Sequence, residues 1–181
     1  GLLRPTRGTV HVMGESTQKR ATGTLAHRVG YLFQRPEQQL FAPTVRQEIA
    51  FGLHQLALDD SERRLHEVLA RFDLAGVAET PPAMLGYGIQ RTVTLASIAA
   101  IAPPIVVLDE PTVGLDGRGL AQLLHWLADL RELGTTVILV THEEHLASRA
   151  DRAITLYDGE ISADGAPSEV LPQAQGWVQS L

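Results

Sequence analysis

Four apolar residues, Ile105-Val106-Val107-Leu108, run directly into two adjacent carboxylates, Asp109 and Glu110, and then into Pro111. A short β-branched run of this kind reads as a strand covered on both faces, as in a parallel sheet. A second run, Val137-Ile138-Leu139-Val140, ends in Thr141 and His142 and reads as a buried parallel strand too. In open α/β sheets, ligands bind outside the carboxyl ends of the strands. The two runs therefore deliver a carboxylate pair and a histidine to the sheet edge where such folds carry out their chemistry.

Between and around these runs the pattern alternates. Gly8 to Gly14 alternates like a strand, and Val29 to Phe33 reads as another. From Thr44, a candidate cap, Val45, Ile49 and Leu53 recur every four residues, as on one face of a helix. Asp59-Asp60-Ser61-Glu62 opens a second helix with Leu65, Val68, Leu69 and Phe72 on one side; early acidic residues suit the positive end of its dipole. A third helix is predicted over about 89–101, stopped by Pro103-Pro104. A helix over about 119–133 ends at Gly134, and a short helix lies near 143–150. Asp158-Gly159 predicts a hairpin between Ala153–Tyr157 and Glu160–Ala163. Strands alternating with helices give an α/β fold with a parallel sheet. The expected division is a single domain over 1–181. Its α/β core covers about 1–43 and 102–165, a helical lobe is inserted over about 44–101, and 166–181 is a C-terminal segment.

Composition narrows the function. The net charge is −6 and Lys and Arg are not clustered, which argues against a nucleic-acid partner. The absence of cysteine excludes disulfides and thiolate metal sites. No apolar run approaches the ~20 residues that span a bilayer, and Gly1-Leu2-Leu3-Arg4-Pro5 has no signal-like apolar stretch. Any membrane attachment is expected to run through a partner.

The candidate site residues have a common chemistry. Asp109 suits a Mg²⁺ ion held through water, and Glu110 suits a general base on an attacking water. His142 can donate a hydrogen bond to a terminal phosphate. Gln34, at the end of the strand from Val29, carries a neutral amide that can ligate Mg²⁺ or the water. Leu85-Gly86-Tyr87-Gly88 precedes a helix, where backbone N–H groups and glycines accept an anion closely. Gly114-Leu115-Asp116 is a tight turn after the carboxylates. Taken one at a time, a solvated acidic turn, one surface histidine among seven, a polar loop and a flexible helix start account for the same residues.

In order and spacing, Gln34, Leu85–Gly88, Asp109-Glu110, Gly114-Leu115-Asp116 and His142 resemble the Q-loop, signature, Walker B with its glutamate, D-loop and switch histidine of ABC transporter ATP-binding subunits. The resemblance covers essentially the whole chain. Gly30-Tyr31-Leu32-Phe33-Gln34-Arg35-Pro36-Glu37-Gln38-Gln39-Leu40-Phe41-Ala42-Pro43-Thr44-Val45 is similar to the ATPases of energy-coupling-factor importers of vitamins, cobalt or nickel. It implies a RecA-like P-loop NTPase core and the ligands ATP and Mg²⁺. It makes Glu110 and His142 catalytic, Asp109 and Gln34 metal-binding, and Gln34, Leu85, Gly86, Tyr87, Gly88 and Asp116 nucleotide-binding. It implies as partners a second ATPase subunit, identical or different, a transmembrane coupling subunit and a substrate-binding membrane subunit. These place the protein at the cytoplasmic face of the cell membrane.

Two departures shape the expectations. No Gly-x-x-x-x-Gly-Lys-Ser/Thr loop occurs in the sequence. The expectation is an N-terminal truncation that removes this loop and edge strands, leaving a chain that binds ATP poorly, does not hydrolyse it and leaves apolar sheet surface open. The signature Leu-Ser-Gly-Gly-Gln is matched by Leu85-Gly86-Tyr87-Gly88-Ile89. The missing serine hydroxyl at Gly86 removes a hydrogen bond to charge worth roughly 1.5–3 kcal/mol. Unequal sites in a heterodimer fit this better than a symmetric homodimer. The competing readings are a non-transport ABC ATPase, disfavoured by the acidic balance, and a non-enzymatic remnant.

Overall fold

The computed structural model describes residues 3–178. It divides into two compact units, Gly1–Ile138 and Leu139–Leu181.

The first unit opens with a two-stranded antiparallel hairpin, β1 (His11–Val12) and β2 (Glu15–Ser16), paired His11 to Ser16 and Val12 to Glu15. The alternation from Gly8 to Gly14 thus yields only two strand residues, because Met13 (φ 50°) and Gly14 (φ 79°) reverse the chain. After α1 (Thr22–Ala26), β3 (Val29–Leu32) pairs in parallel with β4 (Ile105–Asp109), Val29 opposite Ile105 and Leu32 opposite Leu108. With β5 (Thr136–Val140) they form a three-stranded sheet in the order β3-β4-β5. Leu32, Val106 and Leu108 are fully buried.

Both apolar runs are strands, but only β4 is buried. On β5, Ile138 is 50% and Val140 49% exposed, which corrects the reading of Val137–Val140 as a buried strand. β5 ends the strand order, and the boundary between the two units falls inside it. Among the described residues no strand pairs with its outer edge.

Between β3 and β4 the chain is helical. α2 (Val45–Gln55), α3 (Ser61–Arg71) and α4 (Tyr87–Ile101) pack on one another. The Thr44 side chain caps α2 by accepting from Gln47 N at 3.2 Å. Val45, Ile49 and Leu53 are fully buried, as their four-residue spacing requires. Burying each is worth about 1.5–3 kcal/mol of transfer free energy. Leu65, Val68 and Leu69 of α3 and Phe72 beyond it are buried on one side. Asp60 precedes α3 in a left-handed conformation and does not cap it.

α4 lies against the sheet: a Cβ built on Gly30 of β3 comes within 2.6 Å of Ile98 Cγ2. Its C-terminus is closed by Arg64 Nη1, which donates to Ala100 O at 3.1 Å, and Ala102 turns left-handed at φ 51°. α5 (Gly117–Glu132) follows β4, its N-terminus capped by Asp116 Oδ1 accepting from Gly119 N at 2.8 Å. Leu123, Trp126 and Leu130 form its buried side, with Phe72 edge-on to Trp126 at 6.1 Å.

The second unit holds α6 (Glu144–Ala147), the antiparallel hairpin β6 (Ala153–Tyr157) and β7 (Glu160–Gly165), and α7 (Pro167–Val178), which packs on that hairpin. The turn residues Asp158 (φ 49°) and Gly159 (φ 81°) are both left-handed, as a type I′ hairpin requires. No described helix is long and apolar enough to cross a membrane.

Candidate functional site

The first unit brings four of the sequence-predicted features together around the C-terminal ends of β3 and β4. Parallel pairing sets Leu32 beside Leu108, so both strands finish at the same level. Gln34 and Asp109-Glu110 therefore emerge from neighbouring strands at one sheet edge.

Asp109 is half-buried, and the Tyr31 hydroxyl donates to its Oδ2 over 3.5 Å. Partial burial of Tyr31, with the Asp109 carboxylate beside it, pushes the phenol above its ordinary value. Glu110 is half-buried and holds φ at 46°. Most other left-handed non-glycine residues here sit at helix ends or in turns, where that conformation terminates an element. Glu110 instead follows a strand of the parallel sheet, where no hairpin turn calls for that conformation. A carboxylate residue in this region is sterically disfavoured by roughly 1–2 kcal/mol, and such strain gathers at functional positions. The following Pro111 and Thr112 are buried, which fixes the turn.

The chain leaving β3 is tied down by Gln39, a few residues on, and by two side chains of α4. The Gln39 side chain acts like a neighbouring strand: its Oε1 accepts from Phe33 N at 2.9 Å and its Nε2 donates to Tyr31 O at 3.0 Å. Arg91 of α4, fully buried, donates Nη1 to Phe33 O at 2.6 Å and Nη2 to Gln34 O. The Tyr87 hydroxyl donates to the same Gln34 oxygen at 3.3 Å. Gln34 itself is exposed, so its main chain is fastened while its side chain is open to solvent.

The glycine turn meets the turn after β4 directly. A Cβ on Gly88 would lie 2.5 Å from Gly114 O, and one on Gly114, at φ 80°, would lie 2.3 Å from the Tyr87 ring. Only glycine at both positions permits this approach. Gly86 is the residue before α4, and Gly86, Tyr87 and Gly88 line a cleft of about 570 Å³ with Gly114, Leu115 and Asp116. Leu85 is half-buried; its carbonyl accepts from Gln90 Nε2 at 3.0 Å. Asp116 is exposed, with Oδ1 engaged in the α5 cap.

His142 belongs to the second unit, two residues past β5, and is exposed. Beside it, Thr141 Oγ1 accepts from Glu143 N at 3.0 Å.

Three residues escaped the sequence reading: Arg91, Gln39 and Tyr31. Arg91 carried a signal, since a charged residue four after Tyr87 falls on one helix face, at the head of an otherwise apolar run. Gln39 and Tyr31 act through contacts made only once the fold is formed.

The sequence model of the ABC transporter family matches residues 1–113. The chain belongs to the ABC transporter family. It is 42% identical over 94% of its length to a putative ABC transporter ATP-binding protein of Methanothermobacter thermautotrophicus. It is 38% identical over 97% of its length to the energy-coupling factor transporter ATP-binding protein EcfA of Methanocaldococcus jannaschii. It spans 63% and 64% of those two relatives, just under two thirds of each. In three dimensions it is similar to cbiO1 from Clostridium perfringens, part of the ABC transporter complex cbiONQ. That match has a TM-score of 0.77 at 28% identity, covering 97% of this chain and 72% of the other. It is also similar to a dimeric ATP-binding cassette in a post-hydrolysis state bound to ADP and Pi, with a TM-score of 0.81 at 28% identity over 92% of this chain and 76% of that one. The α/β fold with its parallel sheet is therefore that of ABC ATPases.

Proposed function

We propose that this ABC family chain forms the ATP-binding part of a subunit that hydrolyses MgATP to drive an importer of the energy-coupling-factor type. The observation that carries this reading is Glu110, a carboxylate held in a strained left-handed conformation directly after Asp109 at the end of β4. The likeness to EcfA and to cbiO1 supports the importer class.

The residues fit the ligands. Asp109 and the amide of Gln34 are hard oxygen donors at the ends of adjacent strands, the donor type Mg²⁺ takes. The ion, when bound with nucleotide, neutralises phosphate charge. Glu110 accepts a proton from the attacking water, whose oxygen bonds the terminal phosphorus as the bond from that phosphorus to the bridging oxygen breaks and ADP leaves. His142 donates a hydrogen bond to the terminal phosphate. Leu85–Gly88, at the start of α4, offers backbone N–H groups to the nucleotide of a second ATPase subunit, with Asp116 beside them. That partner supplies its own glycine turn in return. Gly86 in place of serine weakens the contribution this chain makes, which favours a heterodimer with unequal sites. The remaining partners are a transmembrane coupling subunit and a substrate-binding membrane subunit, and they hold the protein at the cytoplasmic face of the cell membrane.

The test is Glu110→Gln in the complete gene product with its partner subunits. Hydrolysis is expected to fall by about 10²–10⁴-fold, while ATP binding persists and the nucleotide-bound dimer accumulates on size exclusion. Turnover at the unsubstituted rate would remove Glu110 from its role.

A further inference from the structure

We infer that Arg91 is the positioning residue for Gln34: its buried guanidinium, braced by Tyr87, fixes the Phe33–Gln34 main chain so that the Gln34 amide works from a set point. This rests on the reading of Gln34 under Proposed function.

The arrangement is more specific than a helix packed on a strand requires. Arg91 has no exposed surface, yet its fork is aimed at two consecutive backbone carbonyls, Phe33 O and Gln34 O. Burial pushes its guanidinium below the ordinary value, opposed by Tyr87, Asp109 and Glu37. Among the described residues its Nε is buried without a hydrogen-bond partner. A buried charge on these terms is costly, and an apolar side chain of similar volume is often as stable or more so. What the arginine supplies, and an apolar residue does not, is direction.

Tyr87 completes the fixture. The Arg91 guanidinium lies 5.8 Å from the centre of its ring, and Arg91 Nη2 donates to its hydroxyl at 3.5 Å. The hydroxyl in turn donates to Gln34 O. The other side of the ring's surroundings is Gly114, where even a Cβ would collide with it. Gln34 O thus takes two donors from the first two turns of α4, while Gln39 secures Phe33 N. An exposed, flexible amide on a fastened carbonyl sweeps a restricted arc. Fixing a reacting or ligating group in this way lowers the orientational cost of using it.

The test compares Arg91→Met, Arg91→Lys and Tyr87→Phe with Gln34→Ala, in two measurements on the complete gene product. The first is amide hydrogen exchange without nucleotide. Arg91→Met is expected to speed exchange at Phe33 and Gln39 about tenfold or more, with α2 and α5 unchanged and partial rescue by Arg91→Lys. Unchanged exchange at Phe33, or faster exchange spread evenly over α2 and α5, would overturn the inference. The second is the Mg²⁺ concentration giving half-maximal turnover. It rises in Arg91→Met and in Gln34→Ala, and the double variant is no worse than Gln34→Ala alone. Additive effects would make Arg91 merely structural. If Gln34→Ala leaves the Mg²⁺ dependence untouched, the reading of Gln34 fails, and the exchange measurement still judges Arg91. Should Arg91→Met not fold, Tyr87→Phe decides: it removes one of the two donors to Gln34 O. Faster exchange confined to the same segment supports the inference, and none overturns it.

Discussion

Two strands with nearly interchangeable sequences end up in different surroundings. Ile105–Leu108 and Val137–Val140 are both four-residue apolar runs leading to polar residues that suit phosphate chemistry. β4 lies in the middle of the sheet order, with Val106 and Leu108 at 0% exposure; β5 ends the order, with Ile138 and Val140 about half exposed. The chain also leaves them differently. After β4 it turns through a strained Glu110 onto buried Pro111 and Thr112; after β5 it turns on the Thr141 hydroxyl into exposed His142. An apolar run therefore specifies a strand. It does not specify the strand's neighbours, which are fixed by pairing across long sequence separations.

Stability separates the two strands most clearly. Leu108→Ala is expected to cost about 2–5 kcal/mol, because it leaves a cavity in a closed site. Ile138→Ala, on the half-open strand, is expected to cost less than half as much, since much of the side chain is already in water. Equal losses in denaturant titrations would mean that β5 is as enclosed as β4.

The residues after each strand differ in the size of effect expected. His142→Ala is expected to raise the hydrolytic barrier by about 1.5–3 kcal/mol, the worth of one hydrogen bond to a charged group. Steady-state turnover of the complete gene product measures this, and an unchanged rate would return His142 to an ordinary surface residue. The smallest effect on stability is expected for Glu110→Gly. Glycine relieves the left-handed backbone, so stability should rise by about 1 kcal/mol while hydrolysis is lost. A fall in stability would show that the Glu110 side chain does more for the fold than its backbone costs.

Local signals carried most of the helices and turns in both units. The four-residue repeat of Val45, Ile49 and Leu53, the Thr44 cap and the Asp158-Gly159 turn depend on neighbours in sequence, and each forms as read. The hairpin at Met13-Gly14 was obscured because a turn interrupts an alternating pattern after two strand residues. At the site, Gln34 and Asp109-Glu110 were legible as polar residues ending apolar runs. Arg91 and Gln39 were not, because what matters is the carbonyl or amide they reach. In Arg91 that group lies 57 or 58 residues away. The fit of Gly88 and Gly114 around the Tyr87 ring is likewise a property of two turns meeting.

Under the proposed function these residues supply the chemistry of a MgATP site whose phosphates are cradled by a Gly-x-x-x-x-Gly-Lys-Ser/Thr loop, a motif this sequence does not contain. The most direct test is calorimetry with MgATP on residues 1–181, beside a version extended upstream through that loop. Binding is expected for the extended version, and little or none for 1–181. Equally tight binding by both would contradict that expectation, because the phosphates would then be held by residues other than those assigned.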